Sequence, residues 1–153
     1  LDLADGFFDA ITLWDVIEHL DDPVRIVKAL KPKLKPGGSI FVSTPNAGAL
    51  IARMMGKRWA FMHPPEHVLF FEKQHISSMM NQCGLEMENW VTFGKSINIA
   101  FLVYKFGRVF PEITPQWLVK YLSTSRLGRP TVYIPTGDIQ YARARLSASS
   151  EKA

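Results

Sequence analysis

The chain has 153 residues, 47% of them hydrophobic and 21% charged, which is enough apolar material for one globular core and too much charge for a membrane bundle. Its single cysteine, Cys83, excludes an internal disulfide framework and a multi-cysteine zinc site, and suits a reducing, cytoplasmic setting. A net charge of +4, carried by lysines and arginines that are scattered along the chain, argues against a nucleic-acid partner; the longest apolar stretch, 99–104, is far too short to span a bilayer.

In chain order, residues 8–14 (FDAITLW) form a near-continuous apolar run between Asp9 and Asp15, the pattern of a strand covered on both faces of a parallel sheet. A helix follows. Asp21 and Asp22 offer its cap, Pro23 suits its first turn, and Ile26, Val27, Leu30 and Leu34 repeat at helical spacing. Lys28, Lys31, Lys33 and Lys35 favour the negative end of its dipole, Pro32 should kink the last turn, and Pro36, Gly37 and Gly38 stop it. Residues 39–43 (SIFVS) read as a second buried strand, completing the strand, helix, strand order of an α/β crossover unit.

Residues 47–55 suggest a short helix, and 56–72 a structured loop rich in proline, aromatics and histidine. Ile76, Met79, Met80 and Cys83 mark a helix ended by Gly84, and Leu85, Met87, Val91 and Phe93 fall on one strand face. Ile99, Leu102, Val103, Phe106 and Phe110 share a helical face; 110–135 carries turn residues and reads as irregular or short helical. A last strand over 138–146 sets Ile139, Tyr141 and Arg143 opposite Gln140, Ala142 and Ala144. The Ser/Ala tail 147–153 reads as disordered.

The string FDAITLWDVIEHLDDP, followed by LKPKLKPGGSIFVSTPN, resembles the fourth and fifth strands, with the intervening helix, of class I S-adenosylmethionine-dependent methyltransferases. The later HPPEHVLFF, the helix ending QCGL and the strand opening with Gly137 and Asp138 continue that likeness, which covers roughly 7–146 and looks closest to ubiquinone-biosynthesis and cell-envelope O-methyltransferases. The resemblance implies a partial Rossmann-like fold, the second half of a mostly parallel sheet with an antiparallel last strand. Residues 1–146 are then the carboxyl-terminal part of a methyltransferase domain, with 96–135 a helical insertion. In that family a glycine-rich loop after the first strand and an acidic residue after the second hold most of the cofactor. Neither motif is found here, because Gly37 and Gly38 sit at a helix-to-strand turn. With Leu1 standing where a start methionine would, the expectation is that upstream sequence is missing.

The same resemblance implies roles at the carboxyl ends of the strands. Trp14, Asp15 and Val16 match positions bordering the methionine and sulfonium end of S-adenosylmethionine, where the indole of Trp14 offers a cation and π contact or is simply core. His19, of the Glu18–His19 pair, lines the site or braces its loop. His63, Glu66 and His67 lie in the segment that builds the acceptor pocket, so either His67 or His63 could take a proton from a hydroxyl or amine nucleophile, or brace the loop. Asn46 positions an acceptor or caps the next helix. Trp59, with the neighbouring aromatics Phe61, Phe70 and Phe71, suggests an acceptor that is small and partly apolar, or lipid- or sugar-linked.

His63 and His67 are four apart, but Pro64 and Pro65 keep them off one helical face and no third ligand has fitting spacing, so no metal is expected. The basic amphipathic stretch around 101–110 packs on the chain's own core or touches an anionic membrane surface peripherally. The alternative to an enzyme is a non-catalytic binding or scaffold module that pairs an exposed strand edge with a partner. Oligomeric state is not legible in the sequence.

Overall fold

The computed structural model describes residues 3–146 and divides into two compact units, one formed by the chain up to Phe93 together with the segment from Gly137 onward, the other by Gly94–Thr136. The expected tail, 147–153, lies outside the described residues.

The first unit is built on a four-stranded sheet in the order β1 (Phe8–Trp14), β2 (Leu34–Pro45), β4 (Thr131–Leu146), β3 (Leu85–Asn98). β1 and β2 run parallel, in register from Ala10 opposite Ser39 to Trp14 opposite Ser43, while β4 is antiparallel to β2, pairing Ser39 with Arg145 through Pro45 with Ile139. Parallel neighbours need a crossover, and α1 (Pro23–Leu30) supplies it, capped by the Asp22 carboxylate on the Arg25 amide at 2.9 Å with Pro23 in the first turn. α2 (Leu50–Met55) and α3 (Lys73–Gln82) follow β2. α3 ends at Gly84, whose φ of +68° suits the left-handed turn that leads into β3.

The core packs α1 and α3 against the sheet: Ile17, Val27, Ile40, Val42, Ile76, Met80, Leu85, Ala142 and Ala144 are buried together. Beneath them lies one polar knot. Buried Gln140 accepts the Trp90 indole N–H at 2.9 Å and donates from Nε2 to the carbonyls of Phe71 (2.8 Å) and Pro45 (3.2 Å), joining β4, β3, the end of β2 and the segment before α3.

Five expectations are corrected. β1 is not covered on both faces; among the described residues it is one of the sheet's two edge strands, with Asp9, Ala10, Thr12 and Trp14 exposed. The crossover helix stops at Leu30, not beyond Leu34: Pro32 turns 31–33 into a 3₁₀ turn, and Leu34 already opens β2. Lys33 and Lys35 therefore serve no helix dipole; they pair with Asp5 (2.6 Å) and Asp9 (2.8 Å). The Pro36, Gly37, Gly38 triplet is a bulge within β2, where the register slips between Phe8–Leu34 and Ala10–Ser39, and a Cβ on Gly38 would sit 2.9 Å from the Lys35 carbonyl oxygen. Lastly, Val91 and Phe93 do not share the buried face of Leu85. Glu88 and Asn89 are both exposed, the alternation changes phase there, and Trp90 takes the inward position instead.

The second unit takes the ends of β3 and β4 together with α4 (Ile99–Val109) and α5 (Gln116–Thr124), so 110–135 is more regular than its prolines suggest. Asn98 caps α4 through the Phe101 amide at 2.8 Å, and α4 packs on α5 where Gly107 meets Thr114 and Val119. Among the described residues no helix is long and apolar enough to cross a membrane.

Candidate functional site

At the carboxyl ends of β1 and β2 the two strands finish side by side, and the chain leaves β1 through a strained turn. Asp15 has φ +51°, a left-handed conformation that Asp tolerates better than most residues. Ser43 holds it there. The Ser43 hydroxyl donates to Asp15 Oδ1 at 2.9 Å and accepts the Asp15 amide at 3.0 Å, while the Ser43 carbonyl takes the same amide at 3.1 Å. Trp14, paired with Ser43, is 50% exposed, so it is not a core residue of this chain; its ring meets Tyr141 edge-on at 6.1 Å. Val16 is half-buried at the start of the 3₁₀ turn Ile17–His19.

That turn organises the histidine loop. The Glu18 carbonyl accepts both the Val68 and Leu69 amides, at 2.9 and 3.1 Å, which pins 56–72 beside the end of β1. His19 and His67 then face each other edge-on, ring centres 4.8 Å apart. Each engages a backbone carbonyl through Nδ1, His19 with Glu66 at 2.6 Å and His67 with Phe61 at 2.7 Å. An Nδ1–H donated in this way fixes the tautomer and leaves Nε2 as the basic nitrogen. The Glu18 side chain is 1% exposed, and its Oε2 has no hydrogen-bond partner. One donor atom each from Glu18, His19 and His67 lie within 4.8 Å of one another, a set able to hold a cation or pass a proton.

The remaining candidates separate from this cluster. His63 is exposed, its ring 6.3 Å from that of His67, and Glu66 is exposed and engaged through its main chain. Trp59 is 4% exposed, packed with Ala49 and Ala52 under Phe61 and Phe70; it braces the loop from beneath. Asn46 is buried at the end of β2 with both amide ends in use, Nδ2 on the Gly137 carbonyl at 2.9 Å and Oδ1 on the Gly48 amide at 3.0 Å. It also touches an open groove of roughly 480 Å³ whose other walls include Arg53, Glu72, Lys73, Met87 and Trp90. None of Trp14, Asp15, His19, His63 or His67 lines that groove.

Sequence reading missed Ser43, Glu18 and Tyr141. Serine in a buried strand carries no signal of its own, but a hydroxyl directly opposite the last residue of a parallel neighbour is a usable one. Glu18 stood in the quoted pair, yet nothing local announced that its carboxylate would be buried beside a histidine 49 positions further on.

The likeness to known proteins can be set beside this geometry. A family model described as a methyltransferase domain matches residues 2–89. The ubiquinone biosynthesis O-methyltransferase of Marinobacter nauticus is 30% identical over 109 residues, 67% of this chain and 45% of that protein; the one from Chromobacterium violaceum is 32% identical over 89 residues, 54% of this chain and 38% of that protein. The chain thus spans less than half the length of these relatives. A solved SAM-dependent methyltransferase from Thermotoga maritima superposes with a TM-score of 0.56 at 18% identity, covering 96% of this chain and 60% of that one. One from Archaeoglobus fulgidus gives 0.55 at 15%, covering 94% and 61%, and both likenesses speak for the fold alone. The matched model covers more than half of the chain and takes in the parallel pair, its crossover helix and the histidine loop, and on that ground the chain belongs to the methyltransferase-domain family.

Proposed function

We propose that the chain carries the acceptor-side half of a methyl-transfer site that uses S-adenosylmethionine, with an oxygen nucleophile on a small, partly apolar acceptor. What carries the reading is the convergence at the carboxyl ends of β1 and β2, where a half-exposed indole, a strained acidic turn and a tautomer-fixed histidine come within one loop's reach. Transfer to oxygen follows the O-methyltransferase relatives, and S-adenosylmethionine is the donor of the Thermotoga maritima protein that shares the fold.

The residues present fit one end of the donor. Trp14 offers an exposed ring face suited to a sulfonium, and Asp15 offers a carboxylate one residue further on. The adjacent glycines fit nothing at that end, because Gly37 and Gly38 lie at the amino end of the paired strands. When bound, S-adenosylmethionine supplies an electrophilic methyl carbon for in-line attack. His67, half-buried and holding its Nδ1 on Phe61, would accept the proton of an acceptor hydroxyl at Nε2, with His19 and buried Glu18 beside it to pass that proton on. His63, exposed and without such a neighbour, would not. Trp59 would hold the loop in shape, and Asn46 the end of β2.

The test is calorimetric titration with S-adenosylmethionine followed by an assay of methyl transfer to a panel of small phenols and amines. The 153-residue chain alone is expected to bind the donor weakly, and micromolar affinity would contradict the partition of the site. In the full protein, His67→Ala should lower transfer to phenols by about 10²–10⁴-fold, and His63→Ala should leave it near the wild-type rate. The reverse ranking would remove His67 from the role.

A further inference from the structure

The open groove of the first unit lies apart from the strand rim. Its volume, roughly 480 Å³, falls within the range of small-molecule clefts. Its charge is out of balance: Arg53 on α2 and Lys73 at the start of α3 face a single acid, Glu72. That acid is shared. Glu72 is the N-cap residue of α3, its Oε2 also takes the Gln74 amide at 3.5 Å, and the Arg53 guanidinium reaches it only at 3.9 Å, the far limit of an ion pair. The apolar wall is held in place from inside the fold. Trp90 spends its indole N–H on buried Gln140 at 2.9 Å, which anchors the ring, and Lys73 Nζ lies over that ring, 5.0 Å from its centre. Met87 adds a soft, polarisable surface.

We infer that this groove is an accessory binding site for an organic carboxylate with a flat apolar body, an aryl acid, separate from the methyl-transfer rim. The Arg53 guanidinium presents a planar fork of N–H donors that matches a carboxylate, and the Lys73 ammonium, on a flexible four-carbon stem, can turn from the ring toward the same group. That turn opens the Trp90 face for an aromatic body to stack on. The positive end of the α3 dipole adds to the attraction, and Ser77, one turn further along the helix, supplies a hydroxyl donor. Other occupants answer only part of the groove. A cation is repelled by Arg53 and Lys73, a free inorganic anion leaves Trp90 and Met87 without a partner, and an uncharged ring leaves both cations unmatched. The inference stands on the groove and does not depend on the methyl-transfer reading.

The test is isothermal titration of the full chain with naphthoate, with its uncharged counterpart naphthylmethanol, and with acetate. Naphthoate is expected to bind about tenfold or more tightly than either of the others, with an affinity that falls as salt is added. R53E/K73E should remove that preference, and Arg53→Gln alone, which leaves α3 untouched, should weaken naphthoate by about threefold or more. His67→Ala, at the strand rim, should leave naphthoate binding intact. Arg53 and Lys73 are exposed, and unchanged thermal midpoints would show that the variants fold. The proposal is overturned if naphthoate does not bind at millimolar concentration, if it binds no better than naphthylmethanol or acetate, or if both groove variants bind it as the wild-type chain does. It is overturned equally if His67→Ala loses naphthoate as fully as R53E/K73E does, which would place the probe at the rim.

Discussion

Asp15 and Ser43 are locked in a reciprocal pair, hydroxyl to carboxylate at 2.9 Å and amide to hydroxyl at 3.0 Å, across the ends of two parallel strands. The pair holds a residue at φ +51°, where side chains other than Asn, Asp and Gly are costly. Ser43→Ala should therefore cost about 1 kcal/mol, because the Asp15 amide keeps the Ser43 carbonyl while the carboxylate loses its donor. Asp15→Val should cost about 1–3 kcal/mol, more than either Asp15→Asn or Asp15→Gly. Urea titrations with an unchanged m-value measure this order; equal losses for Val and Gly would mean that the turn is not strained.

Gln140 supports the opposite face of the same strand ends. All of its amide groups are engaged, with Trp90, Pro45 and Phe71, at a site without solvent. Gln140→Leu strips the Trp90 indole of its acceptor and takes a donor from the Pro45 and Phe71 carbonyls, the latter keeping the Ala47 amide at 2.9 Å, and should destabilise the fold by about 1–3 kcal/mol. Trp90→Phe added to that variant should cost less than Trp90→Phe in the wild-type chain, since its hydrogen bond is already gone; additive losses in the double-mutant cycle would show the two side chains to be uncoupled.

Local signals and their limits account for what the sequence revealed. Asp22 and Pro23 announced the start of α1, Gly84 the end of α3, and the alternation over 139–144 the two faces of β4, though not which of them is buried, because caps and periodicity act within a few residues. The bulge at Gly37 and Gly38 was hidden, since glycine after proline marks a helix stop and a strand bulge equally well. Val91 and Phe93 fall out of phase with Leu85 because the interruption at Glu88 follows from long-range pairs, with Arg143 at 3.2 Å and Arg145 at 3.6 Å. Candidate site residues were found by type, but which of them meet depended on the Glu18 carbonyl holding Val68 and Leu69. That contact separated His67, set against Glu18, from His63, left at the surface.

Glu18 itself is held at a cost. A carboxyl oxygen buried without a hydrogen-bond partner costs folding free energy, which points to a role at the site beyond packing. Glu18→Met keeps the main-chain carbonyl that anchors the loop and removes the buried, unpartnered carboxyl oxygen. It should raise stability by about 1–2 kcal/mol while lowering methyl transfer in the full protein. Thermal melts in EDTA check this with no cation bridging Glu18, His19 and His67; a fall in the midpoint would mean that the carboxylate is already satisfied in the fold.

Cys83 gives a dependence on pH whose sign can be worked out. The thiol is buried beside α1, with its Sγ 3.6 Å from the Val24 carbonyl, and burial pushes its pKa above the ordinary thiol range against the opposing pull of Lys28 and Lys31. The native state thus favours the protonated form more than the unfolded state does. Stability from this group is complete below the unfolded thiol value, about 8.5, and is lost as pH rises toward the higher folded one. Urea midpoints for the wild-type chain should fall more steeply between pH 8 and 10 than those of Cys83→Ala, which has no thiol to ionise but shares every other titrating group. Parallel profiles would show that the thiol ionises as readily in the fold as outside it.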